Sequence, residues 1–464
     1  IIMCMKKIKK RFDPNNRLNP GKIIATNDPI QINATKQVET KSIFDQVNQC
    51  NGNALCQSVD MKNMICPSSK ITMNRLHTPK GRAKMIQEWQ YQLSKKGIDI
   101  NQIESQNEFF KSMNQTQLKM KKYDFNQEVF DALDGCLSCT ACQTQCPASI
   151  DIPTLKSKFL HLYYTRYQRP ITDTLVAKKE KILAQFKNYP NILHLLNHPW
   201  FHFLITKCTN LINIPKLSSQ DLLKWRISQE QSNGQPDIII IQDPWTSFYE
   251  TNILKDTISL FAKLGIKVGL HPFFETGKAL HILGYQKEFT KRVVQNQPIF
   301  EEYHQKGITM MCIEPSIVGC LNHDYQQVIN KNWKVIDCET VLYNHLQKNK
   351  KTIESVKLKS TKKRIFFDHC IKKSKNESKN WGAVYQQLGL NIKTAQTSCC
   401  GMAGLYGMHK KNQNESKALF NKGWYPYCDG QKIIVNGYSC RSQFRLRSNL
   451  AVSSPISDIL DLFI

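Results

Sequence analysis

What this chain lacks narrows its chemistry first. No apolar run approaches the roughly 18–20 residues needed to cross a bilayer, and segments such as Trp200-Phe-His-Phe-Leu-Ile205 stop far short. There is no G-x-x-x-x-G-K-[ST] phosphate loop and no G-x-G-x-x-G following a strand, so neither of the common nucleotide cradles is encoded. No Ser/His/Asp arrangement stands out, and no basic, then apolar, then small-residue leader opens the chain. Carboxylates are scarce, 37 Asp and Glu against 64 Lys and Arg, which leaves a net charge of +27 over 464 residues. Such an excess raises a nucleic-acid or anionic-membrane surface. The lysines are spread along the whole length, however, which reads more simply as solvated faces, with some long-range pull on an acidic redox partner.

Cysteine is abundant, with 17 residues. In a secreted protein this would suggest disulfides. Here the cysteines are grouped in short hooks, and a reducing cytoplasm, or a position peripheral to the inner face of its membrane, is the expected setting. The run Cys136-Leu-Ser-Cys139-Thr-Ala-Cys142-Gln-Thr-Gln-Cys146-Pro147 has the C-x2-C-x2-C-x3-C-P spacing of bacterial ferredoxins. Two residues between thiolates let three of them converge on one [4Fe–4S] cluster from a single loop, and the proline turns the fourth away. Zinc sites instead pair two short hooks from distant parts of the chain.

An upstream group, Cys50-Asn-Gly-Asn53-Ala-Leu-Cys56 followed by Cys66-Pro67, has the same layout with Asn53 at the middle position. If ligands cross over as in two-cluster ferredoxins, one site takes Cys136, Cys139, Cys142 and Cys66. The other takes Cys50, Cys56 and Cys146 and lacks a fourth thiolate, so it is expected to be weak, altered or absent; without that exchange Cys146 is the fourth ligand of the main cluster in place of Cys66. Arg75, His77, Arg82 and Lys84 form a basic cluster after Cys66, either a solvated helix start or a device that tunes a nearby potential.

From about residue 236 the pattern changes to short β-rich runs alternating with helices, the signature of a largely parallel sheet with its functional loops at the strand C-terminal ends. Strands are expected at Ile238–Gln242, Ile266–Leu270, Ile308–Ile313, Arg364–Asp368, Ile392–Thr397 and Lys432–Asn436. The run also repeats itself: corresponding strands lead into corresponding loops in 236–316 and in 364–440. In the second repeat those loops carry Cys370, Cys399-Cys400-Gly401 and Cys440, a candidate second thiolate site for a cluster or zinc. In the first repeat Cys312 and Cys320 flank the matching loop. Cys4, Cys208, Cys338 and Cys428 are isolated and read as packed thiols.

The expected architecture is therefore α plus α/β. Residues 26–45 form a linker and 46–170 an all-α ferredoxin-like domain. In the latter Thr78-Pro79 opens a helix whose inner face carries Met85, Ile86, Trp89 and Leu93, and a second helix runs over Ile152–Tyr167. Residues 171–232 form a helical connector and 233–464 a duplicated βα cysteine-rich domain. Residues 1–25 open with a short amphipathic helix ending at Asp13-Pro14.

Taken together these segments resemble the iron–sulfur region of the bacterial FAD-linked oxidases, the group of D-2-hydroxyglutarate dehydrogenase and the iron–sulfur D-lactate dehydrogenases. The resemblance rests on Cys50-x5-Cys56, Met64-Ile-Cys66-Pro67-Ser68, Thr78-Pro-Lys-Gly81-Arg82-Ala83 and the Cys136–Pro147 run. Glu314-Pro-Ser316, Asp368-His-Cys370, Cys399-Cys-Gly-Met-Ala-Gly404 and Gly437-Tyr-Ser-Cys440 then follow in order. The Cys-Cys-Gly loops are also similar to those of heterodisulfide-reductase-type modules and glycolate-oxidase iron–sulfur subunits. Ile317 and Phe273-Phe274 depart from the pattern, standing where such modules carry cysteine. Residues 11–23 look like the end of a flavin-oxidase domain, and the chain opens on Ile1, so a piece of a longer fused protein is expected. The resemblance implies an upstream FAD and substrate domain and an electron acceptor such as a quinone or an electron-transfer protein. It implies no catalytic residue, and no dehydrogenase turnover, within these 464 residues. A free-standing iron–sulfur subunit and a basic nucleic-acid-associated metal protein are the alternatives.

Overall fold

The computed structural model describes residues 2–18, 43–98, 100, 124–230, 236–349, 363–374 and 381–463. It divides into two compact units, Ile1–Asp45 and Gln46–Ile464. The first holds helix α1, Ile2–Phe12, whose last turn carries Lys9, Lys10 and Arg11. Residues 26–42 of the expected linker and residues 19–23 of the flavin-domain-like segment lie outside the described residues.

The second unit opens with helices. Pro67 at the first helical position starts α2, Pro67–Thr72, directly behind Cys66. Thr78 caps α3, Pro79–Lys95, by accepting from the Gly81 N–H at 3.0 Å. Its buried face is Arg82, Ala83, Ile86, Trp89 and Leu93. Met85 is only half-buried, because Arg82 takes the inward place. Helix α4, Phe125–Asp134, starts at an Asp124 cap, and α5, Ala141–Gln145, is the short helix inside the cysteine run. Asp151 caps α6, Ile152–Arg166, by accepting from the Thr154 N–H. Trp89 meets Phe159 of α6 edge-on at 5.0 Å, which locks α3 to α6. Helices α7, Ile171–Phe186, α8, Pro190–Leu195, and α9, Pro199–Thr209, lead toward the sheets.

Two four-stranded parallel sheets follow. The first is built from β1, Ile238–Ile240, β2, Val268–Leu270, β3, Thr309–Cys312, and β4, Ile336–Asp337, in the order β2-β1-β3-β4. The second is built from β5, Arg364–Phe367, β6, Ile392–Thr394, β7, Lys432–Val435, and β8, Val452–Ser453, in the order β6-β5-β7-β8. Every expected strand contains an observed one, shortened where the chain leaves the ladder for its loop. The two-residue strands β4 and β8 were not foreseen, being too short to show any periodicity.

Strand alternation divides the core. Ile238 and Ile240 join Phe366 and Ile434 in one cluster shared by the two sheets, whereas Ile239 and Ile241 face a second cluster and Ile365, Phe367 and Val435 a third. Ile317 and Phe273, which the resemblance sets against cysteines, are buried as apolar packing. Cys338 and Cys428 are buried, but Cys4 and Cys208 are exposed, contrary to their reading as packed thiols.

Candidate thiolate sites

Cys136, Cys139 and Cys142, with Cys66 from the upstream group, line one cavity together with Pro67, Ser68, Arg82, Leu137 and Ile152. The atom-free space there is about 330 Å³, its open mouth included. Each thiol has its own local support. Cys66 caps α2 in extended backbone. Ser138 and Thr140, on either side of Cys139, adopt left-handed backbone with φ of 50° and 60°, a conformation that costs a non-glycine residue on the order of 1 kcal/mol. The turn they make brings the Ala141 N–H to the Cys139 sulfur, and the Ile152 N–H serves Cys142 in the same way. Burial pushes both thiols well above their usual range, with neighbouring thiols adding to the effect. Without a cation these sulfurs would stay protonated.

Arg82 brings a buried cation to the same cavity. It is 1% exposed, and its guanidinium donates to Ala132 O on α4 at 2.7 Å, to Cys66 Sγ at 3.5 Å and to Ser68 Oγ on α2 at 3.2 Å. Burial opposes its charge, yet Cys136, Cys66 and Cys142 outweigh that and hold its pKa above the usual arginine value. Arg75 and Lys84 of the same basic cluster are exposed and His77 is half-buried. Lys70, buried on α2, is pushed down to about 8 by burial despite the pull of Cys66. Lys156 Nζ donates to Asp134 O and Cys136 O at 3.2 and 3.1 Å, closing the C-terminal end of α4 against the loop.

Cys146 does not line this cavity. It lies within electrostatic reach of Cys56, as do Cys50 and Cys66, and burial raises the Cys56 thiol.

The thiols on the loops of the second sheet meet at its C-terminal edge. Cys370 follows β5, Cys399 and Cys400 follow β6, and Cys440 follows β7. Cys399 accepts hydrogen bonds from the Cys370 and Cys400 thiols, and from the Gly401 N–H at 3.5 Å, which together hold it well below the usual thiol range. Cys370 and Cys400, the donors, are held well above it. Cys400 is also hydrogen-bonded to Cys440. Gly401 adopts φ +92°, and a Cβ there would sit 2.6 Å from Ser416 O, so only glycine brings this N–H to sulfur. His369, beside the group, is pushed down to about 4 by burial.

The two thiol groups adjoin. Cys139 is within electrostatic reach of Cys399 and of Cys370. Leu137 packs on Cys399, Leu419 and Cys370, and Thr140 Oγ1 lies 3.0 Å from Ser374 Oγ. Gln143 reaches His323, between β3 and β4, at 2.7 Å, so α5 is pinned to both sheet regions. Among the described residues no group of three or more His, Cys, Asp or Glu side chains is disposed to hold a metal ion. Cys312 and Cys320 are fully buried in the apolar cluster of the first sheet. No described helix is long and apolar enough to cross a membrane.

No protein-family model matches the chain, and no solved structure matches it. Curated relatives do. The D-2-hydroxyglutarate dehydrogenase of Pantoea ananatis is 32% identical over 99% of this chain and 48% of its own length. That of Escherichia coli is 30% identical over 99% of the chain and 49% of its length. One subunit of the anaerobic glycerol-3-phosphate dehydrogenase of Escherichia coli is 21% identical over 53% of the chain and 64% of its own length. The chain is thus similar along nearly its whole sequence to D-2-hydroxyglutarate dehydrogenases, and it spans about half the length of those it matches.

Proposed function

We propose that this chain is the iron–sulfur electron-transfer portion of an FAD-dependent 2-hydroxy-acid dehydrogenase acting on D-2-hydroxyglutarate or D-lactate. In this reading the helical region over 46–170 is a ferredoxin-type domain. The observation that carries the proposal is the cavity walled by Cys66, Cys136, Cys139 and Cys142 with the Arg82 guanidinium against it. Four soft sulfur donors, amide hydrogens on Cys139 and Cys142, and a buried fixed cation suit a thiolate-ligated iron–sulfur cofactor better than a hard cation. A [4Fe–4S] cluster held by these four cysteines supplies a one-electron carrier. Arg82 offsets the negative charge of the thiolates and restrains Cys66, Lys156 holds the loop backbone at Cys136, and Leu137 and Ile152 keep water from the sulfurs. Cys50, Cys56 and Cys146 form a three-thiol remainder for a degenerate second site, and Cys370, Cys399, Cys400 and Cys440 a separate thiolate centre. FAD belongs to a partner domain that delivers electrons, and a quinone or an electron-transfer protein takes them up. The similarity to one component of a multi-subunit dehydrogenase favours a second reading, in which the chain docks on a distinct flavoprotein.

The test is anaerobic purification with iron and sulfide analysis and EPR of the reduced protein. The proposal expects about four irons per chain and a reduced-cluster signal; colourless, iron-free protein overturns it. Oxidation of either hydroxy acid by the isolated chain would overturn its role as a relay.

A further inference from the structure

Helices α7, α8 and α9 turn apolar side chains outward. On α9, Trp200, Phe203, Leu204 and Lys207 recur at the three- and four-residue spacing of one helical face, and Trp200 and Phe203 are 66% and 63% exposed. Phe201 and Ile205, one turn apart, take the more sheltered side. The neighbouring elements do the same: Tyr189 and Leu195 are also exposed. A helix packed on a soluble protein puts its apolar stripe toward the core, so an outward stripe of this kind marks a contact surface.

Charge identifies the partner. No Asp or Glu occurs between Glu180 and Asp221, while Lys181, Lys207 and Lys216 in that stretch are exposed. The two carboxylates just upstream are turned inward. Glu180 is buried and accepts from the N–H groups of Thr276 and Gly277, and Asp173 accepts from the Tyr164 hydroxyl at 3.3 Å. The surface therefore combines aromatic and aliphatic side chains with the exposed lysines Lys207 and Lys216, while Lys181 lies within electrostatic reach of Glu275. Trp and Tyr favour the headgroup level of a bilayer. Apolar faces flanked by lysine lie in the plane of anionic membranes, where each nearby cation adds to the attraction.

We propose that α9 and the exposed end of α8 form a peripheral contact with an anionic phospholipid bilayer, with Trp200, Phe203 and Leu204 entering the headgroup boundary and Lys207 facing lipid phosphate. The surface owes nothing to the thiolates, so this proposal stands or falls independently of the iron–sulfur reading.

Helix α1 also combines exposed Met3, Ile8 and Phe12 with a run of lysines, so the test must be specific to α9. The 464-residue chain is sedimented with vesicles of phosphatidylglycerol mixed with phosphatidylcholine, and with phosphatidylcholine alone. Binding is expected to the anionic vesicles, weakening as salt rises, and Trp200→Ser with Phe203→Ser should reduce it by about tenfold or more. Trp200→Phe, which preserves packing, should still bind but lose most of the tryptophan quenching produced by brominated lipid. The proposal is overturned if the chain does not pellet, if neutral vesicles bind it as well, or if quenching survives Trp200→Phe. It is equally overturned if the double variant abolishes self-association or capture by an acidic protein while vesicles remain unbound.

Discussion

Arg82 Nη1 lies 3.5 Å from the sulfur of Cys66, within a side chain that also donates to Ala132 O and Ser68 Oγ. One buried cation thus joins three helices and faces a wall of thiols. A hydrogen bond to a charged acceptor is worth about 1.5–3 kcal/mol, and 1.4 kcal/mol corresponds to about 59 mV for one electron. Arg82→Met should therefore leave a cluster whose potential is lower by on the order of 60 mV, or lower iron content outright. Potentiometry followed by EPR decides it, and an unshifted potential at full iron content would remove Arg82 from any tuning role.

The cavity thiols differ from the remainder. Cys139→Ser should abolish the brown colour and lower iron and sulfide to background, whereas Cys50→Ser should leave most of both. Equal losses in the two variants would mean that the grouping of the sulfurs seen here does not govern cofactor binding.

Two glycines in one loop give a graded test of the second thiol group. Gly401→Ala places a Cβ 2.6 Å from Ser416 O at φ +92°, a combination of strain and clash expected to cost about 3 kcal/mol. Gly404→Ala, at φ +64° with no atom within 4 Å of its Cβ, should cost only about 1 kcal/mol. Urea unfolding of both variants measures the difference.

Glu314 follows β3, and its Oε2 accepts from the Tyr438 N–H, just past β7 of the other sheet, at 2.9 Å. Burial, with Asp243 nearby, pushes its pKa up to about 7 from 4.5. The native state then holds this proton more tightly than the unfolded chain does. The resulting stability is fully present below about pH 4.5, is lost as pH rises toward about 7, and is flat above that. Glu314→Gln removes this slope, so the variant should gain on the parent between pH 5 and pH 8 by up to a few kcal/mol, at about 1.4 kcal/mol per unit. Urea titrations at both pH values check it; a constant difference would show that Glu314 is not the titrating group.

Much of the local structure was legible in the residues. Thr78-Pro79 announced the start of α3, and the β-rich runs at Ile238, Arg364 and Lys432 each begin a strand. Caps, proline positions and alternation act over a few residues, so they can be read without knowing the fold. Lengths were read less well, because Ile241, Gln242 and Thr397 keep extended chemistry after the ladder has ended. The pairs Ile336–Asp337 and Val452–Ser453 carry no pattern at all; they are strands only because a neighbouring strand offers them hydrogen bonds.

By itself the sequence determined the kinds of donor this protein has and the spacing of its cysteine hooks, since both are matters of covalent order. The ferredoxin-type exchange already offered Cys66 as the partner of Cys136, Cys139 and Cys142; only the tertiary structure decided that these four, and not Cys146, line one cavity, that Cys139 stands beside Cys399, and that Arg82 faces inward while Arg75 and Lys84 face out. Those outcomes depend on which helices pack together, and the burial of apolar surface that drives packing is non-directional and indifferent to distance along the chain.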